Sequence, residues 1–487
     1  MTLSKSQYLR GLQCQKSLWL YKNKPELRDA TQKAQESLFN TGNDVGELAH
    51  KLFENGVAIK FDADNFDGMI RKTQELVKSG CEVIYEATFK EKGIFAMADI
   101  LVKNGDAWDI YEVKASTEVK ENYIIDASIQ WYSLSSAINL NKVYIVHINN
   151  QYTRDGELNI HELFNIAEIT DEVLDKQEHI PKHLQEMKKM LNEEMPQIDI
   201  GTHCSCDFHG YCWEDIPYPS VFNLYRMKTT KKFEMYADGI KSYEDIPKHF
   251  KLSATQKLQV DTYKSKKPYI DKPIIKDFLS TIEYPINFFD FETFQNAIPR
   301  FDNQRPYMQM PFQYSLHILH KDGTMEHKEF LGDENSDPRD ELIKQMLEEI
   351  TPTGSIVAYN KSFEITRIKE LANYNQDKKD ELLSLNERFI DLIVPFTKKG
   401  YYHPDFNGSF SIKSVLPAMF ANNDELNYKK LGSVQNGGDA MDIFANLHLL
   451  KDPSKREAIR DDLLAYCHLD TLAMVRIYEK LLKIVDR

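Results

Sequence analysis

Residues 286–294 read INFFDFETF, an apolar run whose ionisable side chains are Asp290 and Glu292. A strand sends successive side chains to opposite faces, so carboxylates two residues apart share a face. Burying them among phenylalanines is costly unless something offsets the charge. The stretch therefore predicts a buried strand that carries acids toward a cation. Far downstream, LLAYCHLDTLAMV (463–475) sets Tyr466 and Asp470 four apart, stacked on one side of a helix. Between the two, YNKSFE (359–364) reads as a strand-to-helix junction, with Asn360 as N-cap and Glu364 in the first turn. The segment YYHPDFNGSFSIKSVLP (401–417) adds Ser409, Ser411 and Lys413, which read either as phosphate contacts or as an ordinary helix-capping turn.

A second acidic set precedes this one. IFAMADILV (94–102) and AWDIYEV (107–113) read as strands joined by a hairpin turn at Asn104-Gly105. That turn predicts Asp99 opposite Ile110, with Asp99, Glu112 and Lys114 on one face. The carboxylates can hold Mg²⁺, and the lysine can orient a water or stabilise phosphate charge.

The remaining pattern is α/β throughout. Helices are expected over 30–56, 69–79, 122–138, 171–194, 338–350 and 454–484, and further strands over 142–148, 312–319 and 355–360. Residues 216–282 read as a helical connector, in which Gly239 lies either in a helix-hairpin-helix turn or at a helix C-cap. The expected domains are 1–215, 216–282 and 283–487.

The 487 residues are 42% hydrophobic and 28% charged, enough for two cores. No run of eighteen apolar residues and no export-type apolar core occurs, so a cytoplasmic chain without a membrane segment is expected. The net charge of −14 disfavours a broad polyanion-binding surface. It leaves room for local patches such as Lys228, Lys231 and Lys232, or Lys114 and Lys120. In a reducing compartment the thiols of HCSCDFHGYCW (203–213) point to a metal or cluster rather than to disulfides. Cys14 joins Cys204, Cys206 and Cys212 only if the fold returns the N-terminus to that segment.

The spacing of Asp99, Glu112 and Lys114 resembles the PD-(D/E)XK nuclease superfamily, in particular its RecB-like branch with CRISPR-associated iron-sulfur nucleases. That resemblance implies a restriction-endonuclease-like domain, His50 as a further metal ligand, Gln130 as the glutamine of the following helix, and a 4Fe-4S cluster on Cys14, Cys204, Cys206 and Cys212. The C-x-C spacing at 204–206 departs from the pattern, and zinc is the alternative occupant. Asp290, Glu292, Glu364, Tyr466 and Asp470 resemble the DnaQ-like exonucleases of RNase H-like fold in their tyrosine (DEDDy) variety. This implies one or two Mg²⁺ or Mn²⁺ ions held by the carboxylates, with Tyr466 positioning the attacking water. Glu364 stands where aspartate is usual. The pairing resembles a bacterial family without a characterised function. Together these resemblances imply a nuclease acting on DNA, with RNA possible, trimming 3′ ends at the C-terminal site. The alternative is a nucleic-acid-binding or scaffolding protein with one or both sites inactive.

Overall fold

The structure, a computed structural model, describes residues 1–30, 33–202, 206–421 and 423–486, and for 33–40 and 424 the backbone alone. The chain is mixed α/β and divides into two compact units, residues 1–215 with 296–307, and residues 216–295 with 308–487.

In the first unit, helices α1 (Lys5–Gln13), α2 (Gln15–Asn23), α3 (Lys33–Ala49) and α4 (Phe66–Ser79) precede strands β1 (Val83–Glu91), β2 (Ile94–Asn104) and β3 (Ala107–Lys114). Helix α5 (Glu121–Leu134) crosses over to β4 (Leu140–Ile148), and β5 (Phe164–Glu168) closes the edge. Strands β1, β2 and β3 are antiparallel, β3 and β4 parallel, β4 and β5 antiparallel. One face buries Ala96, Ala98, Ile110, Ile145 and Ala127 in a single cluster. The opposite face buries Tyr85, Ile100 and Val146 together with Ala297.

The β2–β3 turn differs from expectation. Asn104 pairs with Ala107 and Ile100 with Tyr111, so the turn residues are Gly105 and Asp106. Gly105 supplies the left-handed φ of 61° that the turn needs. The register is two residues from the expected one, and Asp99, just beyond the last paired position, meets the Val113 amide rather than Ile110. Ala98 and Ile100, two residues apart, are buried on opposite faces, so β2 breaks its alternation at Asp99, which still lies close enough to Glu112 for the two charges to repel.

The helix expected over 30–56 ends at Ala49, followed by a 3₁₀ turn at His50–Leu52; residues 31 and 32 lie outside the described ones. The helix expected over 171–194 is two, α6 (Thr170–Asp175) and α7 (Ile180–Leu191). Pro181 is the reason. It lacks an N–H and fits only a first turn, where it now stands.

The second unit begins with α8 (Thr229–Ala237), α9 (Ala254–Ser265) and α10 (Lys272–Leu279). Gly239, at φ 81°, follows α8, and Ile240 N donates to Met235 O at 2.9 Å, which makes a helix C-cap. Residues 240–253 hold no helix, so a helix-hairpin-helix is not formed. Asp245 instead accepts from the amides of Lys241 and Ser242 and fixes a turn ahead of Pro247.

Strands β6 (Ile286–Phe294), β7 (Met310–Leu319), β8 (Met325–Leu331), β9 (Ile356–Ala358) and β10 (Phe389–Asp391) form one sheet in the order β8-β7-β6-β9-β10. The three long strands are antiparallel, and β9 runs parallel to both β6 and β10. Helices α11 (Arg339–Glu349) and α12 (Ser362–Tyr374) lie between strands in sequence; α13 (Ile412–Met419), α14 (Gly437–Leu447) and the 34-residue α15 (Pro453–Asp486) follow. Strand β6 is central and buried nearly end to end, which explains its phenylalanines. Asn360 is not the N-cap of α12. Lys361 holds that position, while Asn360 takes φ 68° with its amide donating to Asp391 Oδ1 at 2.9 Å. No helix among the described residues is long and apolar enough to cross a membrane.

Candidate active site

In the second unit the acids converge on a cleft of about 360 Å³. Strand β6 supplies Asp290 and Glu292, α12 supplies Glu364, and α15 supplies Tyr466 and Asp470, with Lys413 and Gly437 also on the wall. A carboxylate oxygen from each of Asp290, Glu292 and Asp470 lies within 4.8 Å of the other two. Asp290 and Glu364 are in hydrogen-bond reach of each other, and Glu364 Oε2 has no hydrogen-bond partner.

Burial and then mutual repulsion push Asp290 and Glu292 well above the usual carboxylate range. Burial raises Glu364 to about 8. It raises Asp470 only to about 6, because Tyr428 and Tyr466 donate hydrogen bonds to its charged form. Tyr428 Oη lies 2.5 Å from Asp470 Oδ1. Tyr466 is itself driven far above the usual phenol value by burial and the neighbouring acids, so it remains a donor near neutral pH. Four crowded carboxyls, one with an unpartnered buried oxygen, are an all-oxygen donor set suited to Mg²⁺ or Mn²⁺.

The ends of two helices complete the cleft. Lys413 reaches it from the first turn of α13, its Nζ 6.0 Å from the Tyr466 ring centre. Ser411 is the N-cap residue, and its hydroxyl lies 3.1 Å from that of Ser414 and 3.1 Å from that of Ser409. Gly437 opens α14 where a Cβ would lie 3.7 Å from Glu292 Oε2 and 4.0 Å from Tyr466 Oη.

The first unit gathers its own acids beneath α1 and α5. Tyr85 pairs with Ile100 and Ala87 with Ala98, which brackets Glu86 and Asp99 as a facing pair. Glu112 is close enough to both for its charge to act on them, so three carboxyls from three strands crowd together. Asp99 Oδ2 accepts from the Val113 amide at 2.7 Å. Glu112 Oε1 accepts from Lys114 at 2.7 Å and Lys5 at 2.8 Å, and Oε2 from Gln130 at 2.5 Å. Asp126 accepts from Lys114 at 2.7 Å. Ser4 and Gln7 form a capping box that fixes Lys5 at the start of α1.

Burial opposes charge on Glu112, but Lys114 and Lys5 hold it well below the carboxylate range. Burial and then the Glu112 charge lift Asp99 to about 8 and Glu86 to about 7. Removing one partner of such a buried pair costs about 3–5 kcal/mol when nothing replaces it. Lys5→Met leaves Lys114 on Glu112, so the expected loss of stability is near the lower end of that range, read as a lower urea midpoint for this unit.

The sequence reading missed Glu86, Lys5 and Asp126 here, and Tyr428 in the other cleft. Asp126 carried a signal, since it precedes Gln130 by one helical turn. His50 stacks on Tyr85 with ring centres 4.0 Å apart, and no described ligand group joins it to Asp99 or Glu112.

Cys204 lies outside the described residues. The N-terminus does return to this segment. Arg10 forms a two-point ion pair with Asp207 at 2.6 and 3.1 Å, Arg28 joins it, and Asp29 N donates to Asp207 O at 2.7 Å. Cys14 sits between α1 and α2 beside a cavity of about 300 Å³, and Cys206 and Cys212 are half-buried thiols.

Residues 287–411 match a family described as a domain of unknown function, DUF2779. This segment includes Asp290, Glu292 and Glu364. The chain is 30% identical over 220 residues to the uncharacterised protein UU173 of Ureaplasma parvum, a match covering 41% of this chain and 31% of that protein. It is 27% identical over 208 residues to the uncharacterised protein MG366 of Mycoplasma genitalium, covering 39% and 31%. The matches thus span about a third of the length of these curated relatives.

Proposed function

We propose that this chain is a metal-dependent nuclease with two unlike sites, a DnaQ-like 3′-end exonuclease site in the second unit and a RecB-like site in the first. The observation that carries it is the meeting of Asp290, Glu292, Glu364, Tyr466 and Asp470 in one cleft. A divalent ion held by the four carboxyls would polarise the phosphodiester and lower the pKa of water. Tyr466 Oη orients the attacking water, and Lys413 with Ser411 takes the phosphate charge. A strand, rather than a nucleotide, is favoured by a second cavity of about 430 Å³ that shares Tyr359, Asn360 and Ile412 with the cleft. That cavity is lined by Tyr225, Arg226 and Phe410, groups on which bases and phosphates can rest. DNA is the proposed substrate.

Labelled single-stranded DNA, duplex DNA and RNA incubated with Mg²⁺ or Mn²⁺ should be degraded, with Asp290→Ala and Lys114→Ala removing distinct activities. No cleavage of any of them sinks the proposal. For the first unit one observation favours binding without cleavage: Lys5 and Lys114 both already hold Glu112 Oε1, where an ion would sit. Full activity in Lys114→Ala would decide for that reading.

The two-ended cysteine set supports a 4Fe-4S cluster as a further part of the proposal. Anaerobically purified protein is expected to show broad visible iron-sulfur absorption that Cys212→Ser removes; zinc without iron would assign a structural zinc site instead.

A further inference from the structure

Three histidines, two from one hairpin and one from far downstream, meet under α15, on the sheet face that also carries Asp290. His317 on β7 and His327 on β8 are direct cross-strand partners, their ring centres 4.4 Å apart. His468 descends from α15, its ring centre 4.8 Å from that of His317 and 4.3 Å from that of His327. One ring nitrogen from each lies within 4.8 Å of the other two. His468 Nδ1 and His327 Nε2 are 3.3 Å apart. Zinc–nitrogen bonds of about 2.0–2.1 Å in a tetrahedron set nitrogens about 3.3 Å apart, so this pair already stands at chelating separation.

Hydroxyl and carboxylate groups surround the imidazoles, and those on His327 contact Nε2, the nitrogen that also faces His468 and that an ion would take over from them. Thr471 Oγ1 lies 2.8 Å from His317 Nδ1, Ser315 Oγ lies 3.0 Å from His327 Nε2, and the two hydroxyls are 2.7 Å apart. Glu329, two residues along β8 from His327, brings a carboxylate oxygen to 3.9 Å from His327 Nε2. Nitrogen-rich donors select Zn²⁺-like ions, whereas the carboxylate cleft suits Mg²⁺ or Mn²⁺.

We infer that His317, His327 and His468 form a further, separate metal site that takes Zn²⁺ or a similar transition-metal ion, with Glu329 able to complete the coordination. An ion there would pin α15 to the β7–β8 hairpin, on the same helix that presents Tyr466 and Asp470.

The test is zinc binding by the full chain, stripped with chelator and dialysed against Zn²⁺ alone. His327→Ala and His468→Ala should each bind one Zn²⁺ fewer than wild type and lose the zinc-induced rise in melting temperature, while Asp290→Ala keeps both. Equal zinc content and equal melting response in wild type and both histidine variants overturn the assignment. Should a variant not fold, wild-type protein still decides the matter. Zn²⁺ should slow diethylpyrocarbonate modification of His327 and His468, the two half-buried members, several-fold, and unchanged rates overturn it. Neither readout uses nuclease activity.

Discussion

Asp290→Ala is expected to lower metal-dependent cleavage at the second-unit cleft by at least about 100-fold, because loss of groups that merely orient metal ligands already costs about 10–100-fold. Asp290 is central to the arrangement. It lies within ion-sharing distance of Glu292 and Asp470 and in hydrogen-bond reach of Glu364. Its removal also relieves repulsion, so the variant should fold at least as well as wild type in chelator. That combination, a stable protein with lost cleavage, separates a catalytic role from a structural one. Tyr466→Phe removes a single oxygen and leaves the carboxyls in place, so a loss of about 10-fold is expected. Trimming assays on 3′-labelled and 5′-labelled strands read both variants, and unchanged rates in Asp290→Ala would place the chemistry elsewhere.

Metal-free protein is expected to lose stability as pH rises from about 5 to 8, and Mn²⁺ is expected to restore it. The acids with raised pKa values bind protons more tightly in the folded chain than in the unfolded one, so each costs stability as pH climbs from its ordinary value to its folded value. Glu364 and Asp99 end near 8, Glu86 near 7 and Asp470 near 6, which sets the window. Glu112, held low by its lysines, acts in the opposite sense below the ordinary carboxylate range, and His317 and His327, lowered by burial to about 3 and about 4, do so up to the ordinary imidazole value, so the fall is steepest above it. One pKa unit corresponds to about 1.4 kcal/mol, so shifts of this size are large enough to read in the melting temperature. An ion that binds the folded carboxylates reverses it by mass action. Melting temperatures in EDTA and in Mn²⁺ across this range provide the check, and a flat profile in EDTA contradicts the expectation.

The central strand of the second unit was legible because INFFDFETF places two acids where only a buried strand would cost so much. Tyr466 and Asp470 were legible because helical spacing leaves little choice of face. Lys5 and Glu86 were not. Lys5 reaches Glu112 only through the packing of α1, and Glu86 joins the crowded carboxyls through a left-handed φ of 57° within β1, which no local pattern encodes. The hairpin slipped by two residues because Gly105 takes the first position of the turn rather than the second, yet Asp99 and Glu112 remain close neighbours. The histidine cluster left no local trace. Its members stand singly on two strands and a helix, and only the sheet register and the crossing of α15 bring them together.

Residues 296–307, between β6 and β7, belong to the first unit, where Ala297 is buried with Val146 and Tyr307 donates to the carbonyl of Ala115. The polypeptide therefore passes the boundary between units three times, after Asp215, after Gln295 and after Tyr307. A protease nick after Asp215 would not sever the halves, which stay stitched by an out-and-back strap. A fragment of residues 1–215 would lack a piece of its own core, and one of 216–487 would carry that piece unsheltered.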